Sequence, residues 1–150
     1  MRKHERGQSL FEVVVAIAIS ALIIVTIVSL TSSSIQNSSY SKDKTLASTY
    51  VQEATEWLRG QRNNDMASFL AHTETPLWCL NDLSAAWTHV GACGSEEYIS
   101  GTPFTRQVVF ARSLVGGKNF IEADVTVSWT DSKGIHEVTS ATNFSDLRQR

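Results

Sequence analysis

Residues 6–30 read RGQSLFEVVVAIAISALIIVTIVSL, and the rest of the chain is organised around that stretch. From residue 10 to residue 30 nearly every side chain is apolar, and between Arg6 and Lys42 the only charged side chain is Glu12. At about 1.5 Å per helical residue these 21 residues rise about 31 Å, the depth of one hydrocarbon core. By length this is a transmembrane helix. Arg2, Lys3 and Arg6 precede it and no Lys or Arg follows until Lys42. Basic flanks stay on the cytoplasmic side, so the N-terminus is expected there and the bulk of the chain outside. A conventional secretory signal has a shorter apolar region and a small-residue cut site. Here Ser29, Leu30, Thr31 and three serines follow with no Ala-x-Ala, so the helix is expected to stay as an anchor.

A chain of 150 residues supplies one small domain beside such an anchor. Its formal net charge is −2. A mildly acidic chain without a basic stripe is a poor candidate for dedicated nucleic-acid binding. The sequence holds no Gly-x-Ser-x-Gly elbow, phosphate-binding loop or His-Glu-x-x-His pair. No catalytic set emerges, and neither an enzyme nor a bound cofactor is expected.

Nothing between Gly7 and Gly60 breaks a helix, because that span has no Pro and no Gly. Its first half is apolar all round, as lipid or a bundle interior requires. Further on, Ala47, Tyr50, Val51, Ala54, Trp57 and Leu58 recur at helical spacing and fill an arc of about 120°. Ser48, Thr49, Gln52, Glu53, Thr55, Glu56 and Arg59 take the remainder. One long helix therefore leaves the membrane and lays one face on a soluble domain. It is expected to end near residues 60–64, where Gly and Asn can cap it.

A short helix is expected over residues 65–71, and residues 72–103 show no clear period. Stretches of that length are usually functional, stapled or mobile. Strands follow. Ile121, Ala123, Val125, Val127 and Trp129 alternate with polar residues, and residues 104–111 and 135–144 are two further strand candidates. Residues 116–118 and 131–134 supply the hairpin turns. An antiparallel meander results, with an apolar face to cover the helical stripe.

The junction Arg6-Gly7-Gln8-Ser9-Leu10-Phe11-Glu12 resembles the class III signal of type IV prepilins and type II secretion pseudopilins. The shared features are a short basic leader ending in Gly, a hydroxyl residue two places on, an apolar pair, and Glu five places past the cut. The resemblance implies a pilin fold of α+β class, with the long N-terminal helix packed on a small C-terminal antiparallel sheet. It implies cleavage by prepilin peptidase between Gly7 and Gln8, N-methylation of Gln8, and an assembly role for Glu12. Residues 46–62 also look like the Ala-x-Glu-x-(Ile/Leu)-Glu-x-x-Arg segment of minor pilins, and residues 125–134 like their closing Val-x-Trp-x-Asp-x-x-Gly hairpin. Where many major pilins carry helix-bending Pro and Gly, this chain has Ala21 and Ser29, which favours the minor pilin or pseudopilin type. The partners implied are other pilin subunits through helix–helix packing, the peptidase, an inner-membrane assembly platform, and the bilayer before assembly.

The physics of the junction agrees. Gly7 offers a protease a backbone without a side chain. Cutting there removes Arg2, Lys3, Arg6 and Glu5, which takes two positive charges from the precursor's −2 and leaves −4, while the whole anchor is kept. The new α-amine has a reference pKa near 8 and is mostly cationic at neutral pH. A charged side chain in lipid costs about 2.5–3.5 kcal/mol on insertion scales, so Glu12 needs such a partner. Taken by itself, a Glu near a helix start is better read as snorkelling to the membrane surface; Gly7, Ser9, the basic leader and the 21-residue anchor together turn the reading. Small residues at Ala16, Ala18, Ser20 and Ala21 allow close lateral approach of helices.

Cys79 and Cys93 are the only cysteines, both in the irregular region. A disulfide, two free thiols, or a zinc set with His72 and His89 are all open, although the spacing lacks the short Cys-x-x-Cys chelate and no metal site is assigned. Trp78, Trp87 and Tyr98 flank the same loop, either as a contact surface or as aromatic packing onto the sheet. Trp57 and Trp129 fit the core pattern, and His136 is expected to be solvated. The expected organisation is a leader at residues 1–7, a transmembrane half-helix at 8–30, an amphipathic half at 31–64, an irregular region at 65–103 and a β-meander at 104–150. The alternative to a filament subunit is a single-pass anchored extracellular binding protein that does not polymerise.

Overall fold

The structure, a computed structural model, describes residues 10–84, 87–115 and 117–145. The element order is α1 (Leu10–Asn64), α2 (Met66–His72), β1 (Leu77–Cys79), β2 (Thr105–Val115), β3 (Lys118–Asp131) and β4 (Gly134–Ser145). The chain divides into two units, Met1–Lys42 and Asp43–Arg150.

In the first unit α1 is helical without interruption from Leu10, as the absence of Gly and Pro requires. A window within it is long and apolar enough to cross a membrane, and 0% of that window is buried by the chain itself. A soluble protein's core helix of this composition would be covered; here Leu10, Phe11, Leu22, Val25 and Leu30 are each more than 60% exposed. Ser20, Thr26 and Thr31 donate their hydroxyls to carbonyls three or four residues back, so these polar side chains are satisfied within the helix.

In the second unit the C-terminal part of α1 buries Ala47, Val51, Ala54 and Leu58, the stripe expected from spacing. Thr55, assigned to the polar face, is buried as well. Its Oγ1 donates to the Val51 carbonyl at 2.9 Å, which lets a hydroxyl enter the core without an unpaired donor. α1 ends at Asn64, and Asp65 immediately caps α2, its Oδ1 accepting from Ala67 N and Ser68 N at 3.0 Å each.

The sheet is an antiparallel meander in the order β1-β2-β3-β4. Three strands are the expected ones, each longer than the sequence period marked. β1 is an addition within the supposedly irregular region, pairing Leu77 with Val109 and Cys79 with Gln107. Both hairpins close on two residues, Val115 opposite Lys118 and Asp131 opposite Gly134. Gly117 at φ 77 and Gly134 at φ 124 take up backbone that other residues resist. On the inner face Val108, Phe110, Ile121, Ala123, Val125, Val127, Trp129 and Phe144 are buried. Phe69 of α2 meets Phe110 and Phe144 edge-on, and Tyr50 of α1 packs on Phe104 at 5.5 Å between ring centroids. On the outer face hydroxyls pair across strands, Thr105 with Ser128 and Thr126 with Thr139.

Candidate functional site

The expected processing site at Gly7 and Gln8, and the leader before it, lie outside the described residues. The first signal residue that the structure describes is Glu12, in the opening turn of α1. Glu12, Val13, Ala16, Ile17, Ser20, Ala21 and Ile24 line a shallow groove along one face of the helix. Glu12, Ala16 and Ser20 follow each other at intervals of four, so the carboxylate opens onto a track of small side chains. Ser20 keeps its hydroxyl turned to the Ala16 carbonyl at 2.8 Å. This face joins one ionisable group to a surface that permits close backbone approach, a combination suited to helix–helix packing in lipid. Ala18, also named as a small packing residue, is not among the residues lining the groove.

The loop beyond α2 is better ordered than its sequence suggests. Cys79 and Cys93 are joined as a disulfide, and among the described residues no cysteine is free. Cys79 N donates to the His89 carbonyl at 3.1 Å, Gly91 N donates to the Leu77 carbonyl at 2.9 Å, and Trp78 bridges Val90. These bonds lay residues 89–91 antiparallel beside β1.

Of the aromatic residues around this loop, two turn inward. Trp78 is 5% exposed and its Nε1 donates to the carbonyls of His72 and Thr75. Trp87, half-buried, holds φ 66 and packs against Trp57, His72, Trp78 and Phe110. Packing onto the sheet is therefore the role of both tryptophans. Tyr98 differs, being 48% exposed with its hydroxyl donating to the Ser95 carbonyl.

One reading left open for the histidines falls away, and one expectation needs correction. His72 does not join the cysteines: its ring stacks on Trp87 at 4.5 Å and its Nδ1 lies 2.7 Å from the Ser68 carbonyl. His136 is not solvated but half-buried, its Nε2 2.8 Å from Asp131 Oδ1 and its ring against Trp129. It sits directly opposite Trp129 in the β3–β4 register, and the shared turn brings Asp131 to it.

One residue that sequence reasoning passed over is Arg106. It is 2% exposed, at the start of the core face of β2. Its Nε donates to the Leu80 carbonyl at 2.8 Å, and its Nη1 to Glu53 Oε2 at 2.8 Å and the Tyr50 carbonyl at 3.2 Å. It thereby ties the helix, β2 and the loop together. The signal was present: Phe104, Arg106, Val108 and Phe110 share one face at period two.

Residues 2–28 match the family model of the prokaryotic N-terminal methylation motif. The match covers the basic leader, the Gly7–Gln8 junction, Glu12 and most of the apolar run. This signal, together with the long apolar helix and the four-stranded antiparallel sheet, makes the chain similar to type IV pilins. Such a signal marks a substrate of prepilin peptidase, and signal and helix together point to a membrane-anchored, single-pass chain. No curated protein and no solved structure matches the chain.

Proposed function

We propose that this protein is a minor pilin or pseudopilin, a structural and not a catalytic subunit of a type IV pilus or type II secretion-like filament. It enters the inner membrane with a cytoplasmic N-terminus, is cut after Gly7 and methylated at Gln8. The assembly platform then moves it into a filament whose core is made of apolar half-helices. The observation that supports this most is the placement of Glu12, an exposed carboxylate on an apolar helix that opens onto small residues. In lipid alone such a group is costly. In a bundle of cleaved subunits it meets the Gln8 α-amine of a neighbour, and the pair fixes the register of the two helices. The absence of helix-breaking Pro and Gly from the anchor supports the minor type over a major pilin.

Recovery in sheared filaments tests the reading. Glu12→Ala should still be cleaved and anchored, yet appear in sheared filaments roughly tenfold less than wild type, as expected for loss of about 1.4 kcal/mol of pairing. Incorporation at the wild-type level would contradict the register role. A wild-type chain that is cleaved but never found in filaments would favour the anchored binding protein instead.

A further inference from the structure

The loop stapled by Cys79 and Cys93 holds more donor chemistry than a disulfide uses. Cys79 Sγ, a His89 ring nitrogen and a Glu97 carboxylate oxygen lie within 4.8 Å of one another. Cys93 Sγ is covalently joined to Cys79, with the two Cα atoms 4.9 Å apart. One sulfur, one imidazole and one carboxylate therefore face one another, and the second sulfur is bonded to the first. Four donors around a tetrahedral zinc ion, at bond lengths of about 2.0–2.3 Å, stand roughly 3.3–3.8 Å from each other. Cys79, His89 and Glu97 need adjustments of about 1 Å to reach that spacing, and Cys93 Sγ, 3.2 Å from the Arg106 carbonyl, swings toward them once the S–S bond opens.

The supporting contacts are those of a ligand set held in place. His89 is fixed beside Cys79 by the backbone bond from Cys79 N to the His89 carbonyl. Glu97 is oriented by Gly94, whose N–H donates to Oε2 at 2.7 Å, leaving Oε1 3.0 Å from His89 Nδ1. Asn81 holds the Glu97 backbone, its Nδ2 donating to that carbonyl at 2.6 Å. Partners that pre-orient ligands in this way tune metal affinity about 10–100-fold. Cys79, His89 and Glu97 also line a cavity of about 370 Å³, with Asp82 and Glu96 on its wall, which gives a cation an acidic entry. Sequence spacing concealed the set, because the chelate closes across a ladder of strands and not along a Cys-x-x-Cys turn.

From this geometry we infer that the loop is a redox-gated binding site for a divalent, thiolate-seeking metal ion, zinc being the best fit. In the disulfide state the sulfurs carry no charge and only His89 and Glu97 are competent ligands. A dithiol reductant opens the site. Its two electrons enter the S–S bond, Cys79 and Cys93 take up two protons as thiols, and the dithiol departs as its own disulfide. The metal then displaces both thiol protons and is held by Cys79, Cys93, His89 and Glu97. A disulfide oxidant that takes the two electrons and leaves as its own dithiol re-forms the Cys79–Cys93 bond and expels the ion. The loop would keep its closure in either state, by a covalent bond in one and by the ion in the other. This goes beyond the filament role and does not depend on it.

The experiment uses the full chain in detergent micelles, reduced with a dithiol that is then removed without oxygen. Cobalt(II) is titrated into the reduced and oxidised forms, followed by its visible ligand-field bands and sulfur-to-metal charge transfer, and then displaced with zinc. The reduced chain should bind one cobalt ion in a tetrahedral, thiolate-rich site, at least tenfold more tightly than the oxidised chain. His89→Ala and Glu97→Gln, both at partly exposed positions, should each weaken binding about tenfold or more while far-ultraviolet circular dichroism is unchanged. Binding equal in the two redox states would overturn the inference, as would a thiolate–cobalt spectrum unaffected by both His89→Ala and Glu97→Gln.

Discussion

Arg106 lies 2.8 Å from Glu53, a guanidinium that is 2% exposed set against a carboxylate that is 54% exposed. The pair is lopsided, and that decides how it works. Glu53 reaches inward from the wet edge of α1, while Arg106 is anchored in the core by the Leu80 and Tyr50 carbonyls. Its main stabilising work is to satisfy those buried carbonyls, because an orphaned buried acceptor costs about 1–3 kcal/mol. Arg106→Ala should therefore destabilise the chain by at least about 2 kcal/mol in urea unfolding followed by tryptophan fluorescence. Glu53→Gln keeps an acceptor and most of its solvation, and should cost about 1 kcal/mol or less. Equal losses would mean that the ion pair, and not carbonyl satisfaction, dominates.

The disulfide makes a second prediction. Cys79 and Cys93 are 14 residues apart. Closing a loop of about 15 residues removes roughly 3 kcal/mol of unfolded-state freedom in the chain-entropy model. Replacing both cysteines by Ser in metal-free buffer should lower stability by about that amount. A melting midpoint unchanged by the replacement would show that the β1 ladder and Trp78 hold the loop without the bond.

Acid should loosen the second hairpin. Asp131 accepts from the Lys133 amide at 2.7 Å and lies 2.8 Å from His136 Nε2. The Lys133 amide first, and His136 after it, hold the carboxyl below its ordinary value against the opposing effect of desolvation. A carboxylate depressed in the folded state stabilises the fold above its unfolded pKa, and that contribution is lost as pH falls through the lower, folded value. Wild type should be more stable than Asp131→Asn at neutral pH, and the gap between their melting midpoints should close as pH drops below the normal carboxylate range. A gap that stays constant into acid would remove the charge from the explanation.

How much of this could be read from residues alone varies with the range of the interactions. The long helix was legible because one property, the absence of Gly and Pro under an apolar run, dictates it locally. β3 was legible because alternation from Ile121 to Trp129 has a period of its own, and the turns because Gly117 and Gly134 mark them. β1 was not. Its three residues are too few to show a period, and they are a strand only because Val109 and Val90 lie beside them. Thr55 was misplaced and Arg106 passed over for another reason. A polar side chain can occupy a core position once a carbonyl accepts its proton, and residue type does not reveal where those carbonyls are. The meeting of Cys79, His89 and Glu97 has the same origin, a register between strands and not a spacing along the chain.

Processing depends on Gly7 in this account. Gly7→Val adds a β-branched side chain beside the scissile bond, where a peptidase must approach the backbone. The variant should accumulate in membranes with its leader attached, seen as a heavier intact mass. A variant trimmed as efficiently as wild type would place the cut elsewhere.

The most direct measurement is the intact mass and N-terminal sequence of the protein recovered from its native membranes. Loss of residues 1–7, with a methylated Gln8 as the first residue, is the expected result; it supplies the cation that Glu12 requires. A mature product that still begins at Met1 and retains Gly7 would contradict the central claim, because no amine would then exist at the head of the helix for Glu12 to meet.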